Sequence, residues 1–206
     1  MLRPTPSWRG SGTSSPEGAK WSFEILVLSR IPGIGVRRLR SLVSFFGDPL
    51  RVRQAGLPLL ASIPWFTSRL AGEVHAFLRG PTLGDAEREA DRQLSSLDAL
   101  GGAILHLWDA RYPARLAAIY DAPPILYVKG EVSVAGEPCV AVVGSRRPSA
   151  YGLVMTEYFA RELAFAGVTV VSGLARGVDT RAHAAALAAG GKTIGVIGTG
   201  LDRCYP

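Results

Sequence analysis

Three short apolar runs, each closed by a glycine-rich loop, constrain this chain more than any other feature. They occupy 139–143, 168–171 and 193–197, and amphipathic stretches at 153–166 and 178–189 separate them. A run that is apolar throughout, not alternating, is the mark of a parallel strand covered on both faces. Strand, helix, strand, helix, strand predicts a βαβαβ unit, half of a doubly wound parallel sheet. No helical stretch follows the third run, which is therefore expected to lie uncovered at the end of a truncated sheet.

Ligands of open parallel sheets bind beyond the carboxyl ends of the strands, and all three loops belong at that edge. The first, GSRRPSAYG, opens a helix. Gly144 permits close backbone approach and Ser145 can donate from hydroxyl and amide. Arg146 and Arg147 supply two forks, and the helix N-terminus adds free N–H groups. A phosphate is the expected guest. Tyr151, at the start of that helix, can stack on a base or pack into the core. The second loop, SGLARGVDTRAH, sets Gly173 and Gly177 around Arg176. Asp179 is placed to cap the following helix or to hold Arg176, and His183 lies one turn further on the same face. Asp and His together invite general-base chemistry. No recognisable Ser or Cys nucleophile accompanies them, so a structural hydrogen bond is the preferred reading. The third loop, GTGLDRCYP, offers Gly198, Gly200 and Asp202. None of the loops carries G-x-G-x-x-G or a P-loop, so no dinucleotide or triphosphate cofactor is expected.

Composition narrows the partners. The net charge is +6, and of 23 cations only Lys20, Lys129 and Lys192 are not arginine. Arginine is the better fork for phosphate oxygens, although a GC-rich genome would enrich it too. Two cysteines, Cys139 and Cys204, and histidines at 75, 106 and 183 make neither a disulfide framework nor a metal site. No apolar run approaches the roughly 20 residues of a membrane span, and no secretory signal opens the chain. A cytoplasmic protein without membrane contact is expected.

The chain divides into three expected parts. Residues 1–20, rich in Ser, Pro, Gly and Thr, read as a disordered tail. Residues 21–80 read as a small helical domain: a helix at 21–30, a tight hairpin Ile-Pro-Gly-Ile-Gly at 31–35, a helix at 36–46 with Leu39, Leu42, Val43 and Phe46 at helical spacing, and shorter pieces at 50–56 and 67–79. Residues 30–53 hold six arginines against Asp48 alone, a net of +5, so the hairpin either packs or lends amides to a phosphate. Residues 81–206 read as the sheet domain, entered by a helix at 84–100 capped by Asp85 and by strands at 104–107 and 125–128.

Five stretches, LSRIPGIGVRRLRSLVSFFGDP, DARYPARLAAIYDAPPILYVKGE, AVVGSRRPSAYG, VVSGLARGVDTRAHAAAL and GTGLDRCYP, come in the order found in the DprA family. The chain resembles that family, the DNA-processing proteins of bacterial natural transformation (competence). The resemblance implies a binding protein and not an enzyme. It implies an α/β fold, a small helical domain of SAM or helix-hairpin-helix type before an extended Rossmann-like parallel sheet. It also implies single-stranded DNA as ligand, RecA and single-strand-binding protein as partners, and a homodimer. The family's GSR arginine falls on Arg146, with Ser145, Gly173, Arg176 and Gly177 lining the same pocket and Gly198, Gly200 and Asp202 closing it. The family continues for about half a domain beyond the final Tyr-Pro, so this sequence reads as its N-terminal portion.

Two other readings compete. A nucleotide phosphoribohydrolase would use the same sheet edge, but its PGGxGTxxE signature is absent, and Glu157 and Glu162 fall mid-helix. A non-functional truncation product is the third reading, since three strands with a bare face bury little surface.

Overall fold

The computed structural model of the chain describes residues 16–203. It forms two compact units, Met1–Val128 and Lys129–Pro206.

The first unit is mostly helical. Its elements are α1 (Pro16–Leu28), α2 (Val36–Phe46), α3 (Pro49–Val52), α4 (Leu57–Ala61), α5 (Ser68–Arg79), α6 (Thr82–Ala99), β1 (Gly102–His106), α7 (Ala114–Ala117) and β2 (Ile125–Lys129). The unit ends at Val128 and not at the 80/81 boundary read from the sequence. Helix α6 buries Ala86, Ala90 and Leu97 and packs against α1 and β1, and β1 pairs with β2 in a two-stranded sheet of their own. Of the expected tail, residues 1–15 lie outside the described residues, and 16–20 are helical instead. Pro16 stands first in α1, where its missing N–H costs nothing and its fixed φ suits a helix. Asp85 does not cap α6; it pairs with Arg88 within the first two turns.

The core of this unit holds Ile25, Val27, Leu28, Leu39, Leu42, Val43, Val52, Leu60 and Val74, all essentially inaccessible. Glu24 is buried among them, and Arg53 Nε donates to its Oε1 at 2.5 Å while also pairing with Glu87. Burial pushes the Glu24 carboxyl above its ordinary value, and the Arg53 guanidinium opposes that shift. Arg30 meets Glu89 at 3.5 Å. The basic cluster read from 30–53 is therefore smaller than its charge count, because two of its arginines are matched by acids distant in sequence.

The second unit is the expected parallel sheet. A short 3-10 turn, Val132–Gly136, leads into β3 (Cys139–Ala141), α8 (Ala150–Phe165), β4 (Thr169–Ser172), α9 (Val178–Ala188) and β5 (Thr193–Gly195). The order is β3-β4-β5, all parallel, with Val140 opposite Val170 and Val171 opposite Ile194. Right-handed crossovers between consecutive neighbours put both helices on one face, and α8 and α9 pack closely together there. Ala160, Val170, Ala182, Ala185 and Ala186 form the core between the helices and β4. Among the described strands of this sheet, β4 alone has neighbours on both sides, and it alone is mostly buried. The full burial expected of β3 is not found: Val140 is 43% exposed. An edge strand with helices on a single face cannot hide both of its surfaces.

Candidate functional site

At the carboxyl edge of this sheet the first two loops are bound to each other through backbone. The Val178 amide, opening α9, donates to the Ser145 carbonyl at 3.2 Å. Gly177 stands at φ 84°, and a Cβ there would run into the Ser145 oxygen and the Arg146 backbone. Gly144 faces Val178 so closely that its own Cβ would sit 2.8 Å from Cγ2. Two of the glycines singled out from the sequence thus allow two loops to touch.

Asp179 fixes the second loop. It is 6% exposed, and its Oδ2 accepts from the Gly173 amide at 3.0 Å and from the Ala175 amide at 3.4 Å. It is neither the cap of α9 nor the partner of Arg176 that the sequence invited. The residue at the cap position is Gly177, without a side-chain bond, and no ion pair joins Asp179 to Arg176 among the described residues. Thr180 Oγ1 donates back to the Ala175 carbonyl at 2.7 Å, and Ser172 Oγ donates to the Val142 carbonyl at 2.6 Å, tying β4 to the strand beside it. Leu174 takes a left-handed φ of 57° and covers Gly195, where a Cβ would meet Leu174 Cδ1 at 2.6 Å. Ser172, Thr180 and Leu174 were not foreseen; hydroxyls flanking a glycine-rich loop are the one signal that could have pointed to the first two.

His183 is 7% exposed and neither ring nitrogen makes a hydrogen bond of good geometry. Burial holds the ring below its ordinary pKa, against the Ser172 backbone and the Asp179 charge. Asp179 Oδ2 is engaged by two amides, and the structural hydrogen bond between Asp179 and His183 preferred from the sequence is not found among the described residues.

The solvent side of this rigid ledge is basic. Gly144, Ser145, Arg146, Arg147 and Arg176 are exposed. None of these arginines is ion-paired among the described residues, whereas Arg181, one turn further, meets Glu157 at 3.5 Å. Ser145 Oγ accepts from the Arg147 amide at 3.0 Å, which curls the loop. Ser149 Oγ caps α8 by accepting from the Gly152 amide at 3.1 Å. Tyr151 follows in the first turn, 73% exposed, so its ring faces solvent and not the core. The third loop is less engaged. Gly198 has open space around it, and no hydrogen bond ties Gly198, Gly200 or Asp202 to the other loops among the described residues. Cys204 lies outside the described residues, with the Tyr-Pro that follows it.

A parallel sheet whose first two loops are locked together by backbone and faced with arginines unpaired among the described residues defines a Rossmann-like unit. Residues 103–206 match the family model of DNA recombination-mediator protein A, and the chain belongs to that family. It is 52% identical over 98 residues to DNA processing protein DprA of Streptococcus pneumoniae and 40% identical over 116 residues to that of Bacillus subtilis. These matches cover 48% and 56% of this chain but only 34% and 39% of those proteins. The X-ray structure of DNA processing protein A from S. pneumoniae aligns with a TM-score of 0.65 and 33% identity, over 90% of this chain and 60% of that one. No described helix is long and apolar enough to cross a membrane.

Proposed function

We propose that the loop edge of the second unit binds the phosphate backbone of single-stranded DNA, and that the chain serves recombination during natural transformation. One observation carries the binding: Arg146, Arg147 and Arg176 stand exposed and unpaired on two loops that Gly177 and Asp179 hold rigid. A loop backbone that needs no reordering binds an anion at lower entropic cost. The open ledge suits a polymer better than a small ligand, which needs a concave pocket. Tyr151 stands beside the ledge as a stacking platform, and Gly198, Gly200 and Asp202 flank it. Protection of incoming DNA, help in loading RecA, exchange with single-strand-binding protein and a homodimer complete the reading, on the strength of family membership. The role is that of a mediator, not an enzyme.

The test is oligo-dT binding by the full chain across a salt series. Each lost phosphate contact should lower the log–log slope by about 0.7 on single strands. Arg146→Ala should weaken binding and reduce the slope by that amount, with no preference among sequences. Unchanged affinity and slope would remove Arg146 from the interface.

A further inference from the structure

The first unit contains two turns of the same design. Ile31-Pro32-Gly33-Ile34 closes with the Ile34 amide on the Ile31 carbonyl at 3.0 Å, and Ile63-Pro64-Trp65-Phe66 closes with the Phe66 amide on the Ile63 carbonyl at 3.1 Å. In both, the outer residues are buried anchors, proline stands second and the third residue has positive φ: 76° at Gly33 and 70° at Trp65. That is the signature of a type II turn, whose third place belongs to glycine or asparagine. The first turn obeys the rule and the second breaks it with tryptophan, a residue that reaches this region only under strain. Packing does not account for the choice, because Trp65 is 88% exposed.

Both turns border one open groove of about 940 Å³. Its walls carry Arg37, Arg38 and Arg40 against the single carboxylate of Asp121, and none of the three arginines is ion-paired among the described residues. Arg37 lies over the Tyr120 ring, 4.7 Å from its centroid, and Tyr120 is 71% exposed. Arg38 Nη1 donates to the Gly33 carbonyl at 2.7 Å and Arg40 Nη1 to the Tyr120 carbonyl at 3.2 Å. These bonds hold two of the guanidinium groups in place.

We infer that this groove is a second single-stranded nucleic-acid site, with a base stacked on Trp65 and phosphates on Arg37, Arg38 and Arg40. Flat exposed rings alternating with cations are the chemistry of sequence-tolerant single-strand binding. A double helix keeps its bases stacked inside and has none to offer Trp65. The groove is lined by residues of the first unit and shares none with the loop edge of the second, so either can fail without the other.

The experiment uses the full chain and fluorescein-labelled oligo-dT, read by anisotropy. Trp65→Gly suits the turn, so its melting midpoint should equal or exceed that of the wild type, while affinity falls at least about fivefold. Trp65→Phe keeps a ring and should stay within about twofold of the wild type. The same loss should appear when Trp65→Gly is added to Arg146→Ala, which separates this groove from the loop edge. Three results would overturn the inference: Trp65→Gly binding as the wild type does, a duplex of equal length competing as well as oligo-dT, or polyglutamate competing as well. The last would mark the groove as a surface for acidic polypeptides.

Discussion

Replacing Gly177 with alanine tests whether the two loops of the second unit are locked as described. Gly177 sits at φ 84° and ψ −122°, a conformation that costs an L-residue about 1–3 kcal/mol. The new Cβ would press on the Ser145 oxygen and lie 2.8 and 2.9 Å from the Arg146 carbonyl carbon and Cα. Those are backbone atoms and cannot rotate aside, so overpacking adds about 1–3 kcal/mol. Together the two effects remove about 2–6 kcal/mol, a large share of what any small domain possesses. If the first loop retreats instead, the Val178–Ser145 bond breaks and Arg146 moves with it. Amide hydrogen exchange over 172–178, with urea unfolding alongside, reads both outcomes. Gly144→Ala gives an internal comparison. Its obstruction is the Val178 side chain, so adding Val178→Ala should restore much of the loss, and nothing comparable should rescue Gly177→Ala. Gly198→Ala, with open space around it, should be nearly silent. Exchange and urea midpoint unchanged in Gly177→Ala would refute the interlocked loops.

Three further outcomes follow from the same geometry. Asp179→Ala leaves the Gly173 and Ala175 amides without their acceptor, costing about 1–3 kcal/mol and weakening oligo-dT binding; equal stability by urea unfolding would deny the staple. Arg53→Ala strands the buried Glu24 carboxylate and should destabilise the first unit by about 3–5 kcal/mol, with Glu24→Gln in the same chain recovering part of it. His106 and His183 both titrate below the ordinary histidine value because they are buried. The unfolded chain takes up those protons more readily, so the stability they contribute is complete above about pH 6.5 and is lost as pH falls through the folded values. Melting midpoints should drop between pH 7 and 5, and His183→Asn should flatten part of that fall.

The βαβαβ unit was legible because its evidence is local: apolar runs of strand length, helical spacing between them and glycines at their ends. The loop residues were legible for the same reason, since a strand's carboxyl end is a place that chain order defines. Pairings were not. Arg53 counted as a surface cation until the fold brought it to Glu24 and Glu87. Asp179 could be assigned to a cap or to Arg176, but which amides it would meet depended on how Gly173 to Ala175 turned. The burial of β3 was overestimated because an apolar run reports what a strand can hide, whereas its position at a sheet edge decides what it does hide. The start of α1 was missed because Ser, Gly and Pro upstream resemble a tail, and Pro16 begins a helix as readily as it ends one.

The loop edge sorts its residues by exposure, and the sorting separates two kinds of variant. Ser172, Asp179 and His183 are buried, so under the proposed function they would affect a ligand only through the shape of the ledge. Ser145, Arg146, Arg147 and Arg176 are exposed and pack on little, so removing an arginine fork takes away a contact and leaves the core intact. Changes to the first group should therefore move stability and binding together, while changes to the arginines should move binding alone. Arg181 is the discriminating case. It sits on α9 one turn past the ledge, and its charge is already met by Glu157. If mere positive charge on this face attracted the nucleic acid, Arg181→Ala would weaken oligo-dT binding as much as Arg176→Ala does. If the geometry of the ledge matters, Arg176→Ala should lower the salt slope by about 0.7 and Arg181→Ala by clearly less.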